Sequence, residues 1–235
     1  MSLFTSLGII LLSMLIGATL QLSPGVFAIF YHQALGKTTA KKADDRSLSF
    51  VLGVEIFIAA TFLITYLIIS YLTIENSLKN ATFMWVMAGF LLALAVFSFF
   101  CYYHNGKKSK KTTRLFLPRL LASGLTLRAE SAKNRSDTIM LGLATAAAEL
   151  FFTLPLYIVS SIAILNISPR TGFLFIIAYI IIATLPLFAV RTIFRTGHNL
   201  AEIQRSRVKN KPFVRIILSI SYLLVAILTF IQGVI

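Results

Sequence analysis

Two acidic residues lie deep inside long apolar stretches of this chain, Glu55 and Glu149. They stand about eight and eleven residues into their stretches, which at 1.5 Å per helical residue is roughly 12–17 Å, close to the middle of a bilayer. An acid at that depth costs several kcal/mol unless it is paired or hydrated, so such residues mark ion pathways and proton relays by default. No Lys or Arg occupies a comparable depth in the sequence. Two carboxylates without a fixed counter-ion fit a cation site, a proton relay, or both. The bland alternative is a pair of protonated, hydrogen-bonded glutamic acids that hold helices together.

A second feature is Gln21-Leu22-Ser23-Pro24-Gly25, well inside the first apolar stretch. Proline has no amide hydrogen and clashes with the preceding turn, and glycine disfavours a helix interior by about 1 kcal/mol relative to alanine. The helix is expected to kink or unwind there, and freed backbone groups in a bilayer must face protein or a water-filled cavity. Broken helices of this kind line substrate sites in transporters. A kink needed only for packing is the competing reading. Thr19, Gln21, Ser23, Thr145 and Thr153 add polar atoms at related depth. Singly, each is more often bonded to its own backbone than to a ligand; grouped around a broken helix they can line a small polar cavity. Pro155 and Pro186 are further kink candidates, and Arg191 reads as a basic side chain reaching for the membrane edge. His32 lies near the end of the first stretch, where an interfacial histidine is the simplest reading.

Catalytic patterns are missing from the sequence. It has no Gly-x-Ser-x-Gly elbow and no His-Glu-x-x-His zinc helix. Its three histidines, His32, His104 and His198, all fall near or beyond the ends of apolar stretches. Cys101 is the one cysteine, so an internal disulfide, a dithiol relay and a cysteine-built zinc site are excluded. No cofactor is expected. An intramembrane enzyme would need Glu55 and Glu149 to approach closely across one cavity, as acid–base pairs do.

The elements that must position these residues follow from composition. Of 235 residues, 57% are hydrophobic and 13% charged, against about 25% charged in a soluble domain. Six continuous apolar segments emerge, at about 3–35, 47–72, 81–103, 138–165, 171–192 and 212–235. Each is long enough for a tilted or broken spanning helix, and continuous rather than alternating runs argue against a barrel. The first lacks a positively charged leader and continues past Pro24, so it reads as a retained helix rather than a signal peptide.

The net charge of +14 has a topological meaning. Every Lys and Arg except Lys79 and Arg170 lies in or beside the first, third and fifth loops. Basic loops stay cytoplasmic, which places both termini outside, makes the protein multi-pass in a bacterial-type inner membrane, and makes nucleic-acid binding the poorer explanation of the charge. The third loop, 104–137, opens with a basic run at 107–111 and continues through Arg114-Leu-Phe-Leu-Pro-Arg-Leu-Leu. Mixed Arg and apolar residues point to a short helix in the headgroup layer, where the basic run favours anionic lipid; a solvated linker is the alternative.

That loop divides the chain into two sets of three spans, 1–103 and 138–235. Gly89-Phe90-Leu91-Leu92-Ala93 is similar to Ser221-Tyr222-Leu223-Leu224-Val225, Ala60-Thr61 to Ala183-Thr184, and Ser23-Pro24 to Thr153-Leu154-Pro155. A three-span unit and its copy must be inverted with respect to each other, a common plan for secondary transporters.

The six-span layout, Leu22-Ser23-Pro24-Gly25-Val26 and the basic exit Gln33-Ala34-Leu35-Gly36-Lys37 resemble the lysine-exporter superfamily. Gly89 onward into Tyr103-His104-Asn105-Gly106-Lys107 is similar to the third helix of that family. The group includes amino-acid exporters, and its wider relatives handle cadmium or manganese. Val26 stands where the family's Pro-Gly-Pro element ends in proline, and Ala147-Ala148-Glu149-Leu150 where members commonly carry Asn-Pro. The substrate is therefore not carried over, and the lone Cys101 excludes the redox-transfer branch.

The expectation is an all-α integral membrane protein of six transmembrane helices in two inverted three-helix repeats. Its expected activity is secondary transport, most simply export, of a small cationic or zwitterionic solute such as an amino acid, or of a metal ion, with proton coupling. Glu55, Glu149, Gln21, Ser23, Pro24, Gly25, Thr19, Thr145 and Thr153 form the candidate site, with Glu55 and Glu149 the candidates for any metal. Expected partners are the lipid bilayer, the solute and a second copy of the chain. The alternative function is a membrane scaffold or lipid-associated accessory protein working through the basic face.

Overall fold

A computed structural model of the chain describes residues 3–21, 40–74, 81–101, 134–167, 172–195 and 200–234. These form six α-helices: α1 Leu3–Gln21, α2 Ala40–Ile74, α3 Ala81–Cys101, α4 Arg135–Ile167, α5 Gly172–Arg195 and α6 Leu200–Val234. All six are long and apolar enough to cross a membrane, as a multi-pass membrane protein requires. Ser23, Pro24, Gly25, the side chain of Gln21 and the interfacial segment of the third loop lie outside the described residues.

The helix ends differ from the sequence expectation where charge precedes an apolar run. Lys41, Lys42 and Arg46, expected in the first loop, belong to the opening turns of α2. The segment from Ala40 to Arg46 has no glycine or proline and is rich in residues that tolerate a helix. Ser47 and Ser49 donate back to the carbonyls of Asp44 (2.7 Å) and Asp45 (2.9 Å), which ties that turn down. Arg205 to Lys211 likewise fall within α6, which runs on through Pro212. The helices α4 and α5 continue through Pro155 and Pro186.

Contacts fix the relative directions. Asp45 meets Arg135 and Gly53 meets Gly142, numbers that rise together along both helices, so α2 and α4 run parallel. Asp44 with Arg191, Glu55 with Thr184 and Tyr66 with Gly172 descend in opposite order, so α2 and α5 are antiparallel. Ala95 with Ser219 and Trp85 with Gly233 make α3 and α6 antiparallel. Gly8 with Leu228 and Ser6 with Gln232 do the same for α1 and α6. These are the relations that six alternating passes impose.

The two halves interlock. The closest pairs are α2 with α4 and α3 with α6; α1 packs on α4, α5 and α6, and α2 packs on α5. Among the described residues, the helices of the first half touch one another only marginally. The inner helix is α4, with 61% of its span buried, followed by α1 with 44%, against 33% for each of the others. One apolar cluster joins all six, including Ile9 and Met14, Phe50 and Phe62, Leu91, Leu156, Leu187 and Val225. The outward faces carry Phe4, Leu11, Ile64, Trp85, Phe100, Leu185 and Phe230, all exposed. That apolar belt far exceeds the patches a soluble monomer tolerates.

Between helices in lipid the hydrophobic effect gives little drive, so close backbone approach and interhelical hydrogen bonds must hold the bundle. At the α2–α4 crossing Gly53 and Gly142 face each other. A Cβ on Gly142 would stand 3.1 Å from the Gly53 Cα and would collide with the Phe50 carbonyl; one on Gly53 would collide with the Ile139 carbonyl. Only two glycines permit this approach.

Candidate functional site

The middle of α4 carries a polar ridge at four-residue spacing: Thr145, Glu149, Thr153, Tyr157 and Ser161, all buried. Residues four apart form one of the ridges by which helices pack, so the stripe faces the interior rather than lipid. Three of its hydroxyls donate to the carbonyl one turn back: Thr145 to Leu141 (2.8 Å), Thr153 to Glu149 (3.4 Å) and Ser161 to Tyr157 (2.6 Å). Their hydrogens are thus engaged. Thr19 on α1 follows the same pattern, donating to Leu15 at 2.7 Å.

Glu149, 5% exposed, sits near the midpoint of α4, with Tyr157 and Tyr222 close by. The Tyr157 hydroxyl lies beside the hydroxyls of Thr153 and Thr61. Tyr222 of α6 donates to the Phe152 carbonyl at 3.1 Å, in the turn where Pro155 has no amide hydrogen to give to Phe151. Tyr157 stacks on Phe62 of α2 (5.0 Å between ring centres, 13° between planes). Tyr179 of α5 meets both edge-on, at 4.8 Å from Phe62 and 5.5 Å from Tyr157. Three tyrosines from α4, α5 and α6 therefore meet in the interior, two of them, Tyr157 and Tyr222, beside the buried carboxyl. The Tyr179 hydroxyl is 1% exposed as a residue, has no hydrogen-bond partner among the described residues, and points at Gly17 of α1.

Glu55 faces a different seam. It lies two residues beyond Gly53 on α2, about 200° around the helix, so it turns from α4 toward α5. There Thr184 lies 3.2 Å from its Oε1. Thr184 also lies 2.8 Å from the Ile180 carbonyl. One hydroxyl hydrogen serves one acceptor at a time. Either Thr184 donates to a Glu55 carboxylate, or it donates to Ile180 while a protonated Glu55 donates to Thr184. The site has a bonding pattern for both forms of the acid.

Glu55 and Glu149 thus have different partners on different helices, α5 for the first and α4 and α6 for the second. Among the described residues, no group of three or more His, Cys, Asp or Glu is placed to hold a metal ion.

Three features were not read from the sequence. In the sequence the tyrosines are not distinguished from the other aromatic residues of apolar spans; the four-residue stripe through Glu149 is the available signal. Thr184 carried no mark beyond its match with Thr61. Arg191, expected to reach outward from a helix end, instead makes a two-point ion pair with Asp44: Nε to Oδ1 at 2.9 Å and the second nitrogen to Oδ2 at 3.0 Å. The fork geometry of a guanidinium matches a carboxylate in this way.

Comparison with known proteins finds no family model, no curated protein and no solved structure that matches this chain. The likeness to lysine exporters rests on the sequence motifs alone.

Proposed function

We propose that this protein is a secondary transporter of the lysine-exporter type, built as two inverted three-helix repeats, that exports a small cationic or zwitterionic solute. The observation that carries the reading is Glu149: a nearly inaccessible acid at mid-span, with Tyr157 of α4 and Tyr222 of α6 beside it. Several kcal/mol are needed to keep an acid at such a depth. A carboxylate attracts an ammonium group, and tyrosine faces add attraction for an organic cation. Hard metal ions ask for six or more oxygens and transition metals for imidazole or thiolate, so the donor set favours an amine over a metal.

The packing supports the inverted plan. An in-plane twofold axis would exchange α1 with α4, α2 with α5 and α3 with α6. Each of these three pairs is in contact; their opposite directions follow from alternate passes alone. The innermost helices, α1 and α4, are counterparts. In this plan Pro24-Gly25, where the sequence is expected to break the helix, corresponds to the Pro155 turn of α4, and the cycle rocks one repeat against the other. Glu55, able to bond in both protonation states, is the proton-coupling group. By loop charge, the Asp44–Arg191 end faces the cytoplasm of a bacterial-type cell.

The test is a thermal-stability screen of purified protein with basic and neutral amino acids, divalent metals and a pH series. Wild type, Glu55→Gln and Glu149→Gln are compared. A bound solute at 100 times its Kd stabilises the folded state by about 2.7 kcal/mol. A shift confined to amines or amino acids, lost in Glu149→Gln, is expected. No shift with any solute, together with variants that merely melt earlier, would make both acids structural and refute the reading.

A further inference from the structure

The α2–α5 seam is held by polar or close contacts at three levels. On α2 they come from Asp44, Glu55 and Tyr66, spaced eleven residues apart. Eleven residues are about three turns with only about 20° of drift, so all three stand on one face. On α5 their partners are Arg191, Thr184 and Gly172. The three levels differ in kind. At one end the two-point Asp44–Arg191 ion pair has side chains 25% and 18% exposed. Midway is the single Thr184–Glu55 hydrogen bond. At the other end the Tyr66 hydroxyl lies against Gly172, in the space a Cβ there would take.

The ends therefore differ in how they can open. Parting Asp44 from Arg191 leaves two partly exposed charges at helix ends, where water can take over both. Parting the middle breaks one hydrogen bond. Parting the Tyr66 end undoes the close contact of Tyr66 with Gly172. The helix that stays put is α2, because the backbone-close Gly53–Gly142 contact locks it to α4. Its partner α5 has only slight contact with α4.

We propose that the Asp44–Arg191 pair is a latch closing one end of the α2–α5 seam, and that its release lets α5 swing from α2 and opens a water path to Glu55. The latch rests on the transport reading above for its purpose, but its test does not require transport. Val51 is fully buried and lies between Asp44 and Glu55 on the same face of α2. Ile69, also buried, lies beyond Tyr66 toward the sealed end.

In a Cys101→Ser background, Val51→Cys and Ile69→Cys are each labelled with a charged maleimide in detergent-purified protein. Asp44→Asn is expected to raise the labelling rate at position 51 at least tenfold and leave position 69 unchanged. The exchange Asp44→Arg with Arg191→Asp is expected to restore protection at 51. A cooperative melting transition is required of each variant before labelling. The latch is overturned by unchanged labelling at 51, by equal rises at 51 and 69, or by an exchanged pair that stays as open as Asp44→Asn. If position 51 opens as stated while no solute shifts the melting of wild type, the latch stands and the transport reading falls. If solutes shift melting but labelling does not respond to Asp44→Asn, the transport reading stands and the latch falls.

Discussion

Replacing Tyr179 by phenylalanine is expected to make the protein more stable. The ring would keep its edge contacts with Phe62 and Tyr157, and only a hydroxyl with no protein hydrogen-bond partner among the described residues would be lost. A buried, unsatisfied polar group costs about 1–3 kcal/mol. Removing it should raise Tm by roughly 2–10 °C in a chain of this size. The partner position supplies a check. A Cβ on Gly17 would stand 2.8 Å from the Tyr179 oxygen, so Gly17→Ala should cost about 1–3 kcal/mol through overpacking. In the Tyr179→Phe background the nearest remaining atoms are the ring Cζ at 3.3 Å and the Ala183 Cβ at 3.5 Å. The same substitution should then be nearly neutral, giving a coupling of about 1 kcal/mol or more between the two sites. The assay is the double-mutant cycle by thermal melting in detergent, with solute added as a second dimension. If the hydroxyl is kept for solute, Tyr179→Phe will be the more stable protein and the one whose melting no longer responds, the usual trade between stability and function. A drop in Tm of several degrees in Tyr179→Phe, or a Gly17→Ala cost indifferent to residue 179, would refute the assignment of an unsatisfied hydroxyl at Gly17.

Gly142→Val should separate α2 from α4 and prevent recovery of folded protein, because its Cβ collides with backbone rather than with a movable side chain; size-exclusion chromatography reads the loss. Thr184→Val keeps the shape of the residue but removes the hydroxyl, and should alter the pH response of solute binding while lowering Tm by only a few degrees. An unchanged pH profile would detach Glu55 from the coupling. Arg135→Ala should cost no more than about 1 kcal/mol, since its side chain is 71% exposed and such surface pairs contribute little; a larger loss in denaturation would show the pair to be structural. Charge reversal across residues 107–111 should leave solute-dependent melting intact, whereas an accessory protein working through that basic run would lose lipid binding.

The six spanning helices among the described residues were legible from composition, because apolar runs of spanning length leave the backbone no other way to satisfy its hydrogen bonds in lipid. The candidate acids were legible for a related reason: a carboxyl in such a run is costly wherever it points. Even the polar ridge of α4 was present as a four-residue period, as was the eleven-residue period of Asp44, Glu55 and Tyr66. Partnership was not legible. Whether Glu55 meets Glu149 or Thr184 depends on which side of α2 abuts α4, and that is decided by two glycines that bring the backbones into contact and so rotate Glu55 toward α5. Arg191 could be placed at a helix end by its charge, but only the antiparallel register of α2 and α5 sets Asp44 in front of it. Sequence determined what lies at each depth in the membrane, since depth follows from distance along a helix. Tertiary structure alone decided which residues at one depth face each other, since that depends on helix rotation and crossing, and those are fixed by close packing between segments far apart in the chain.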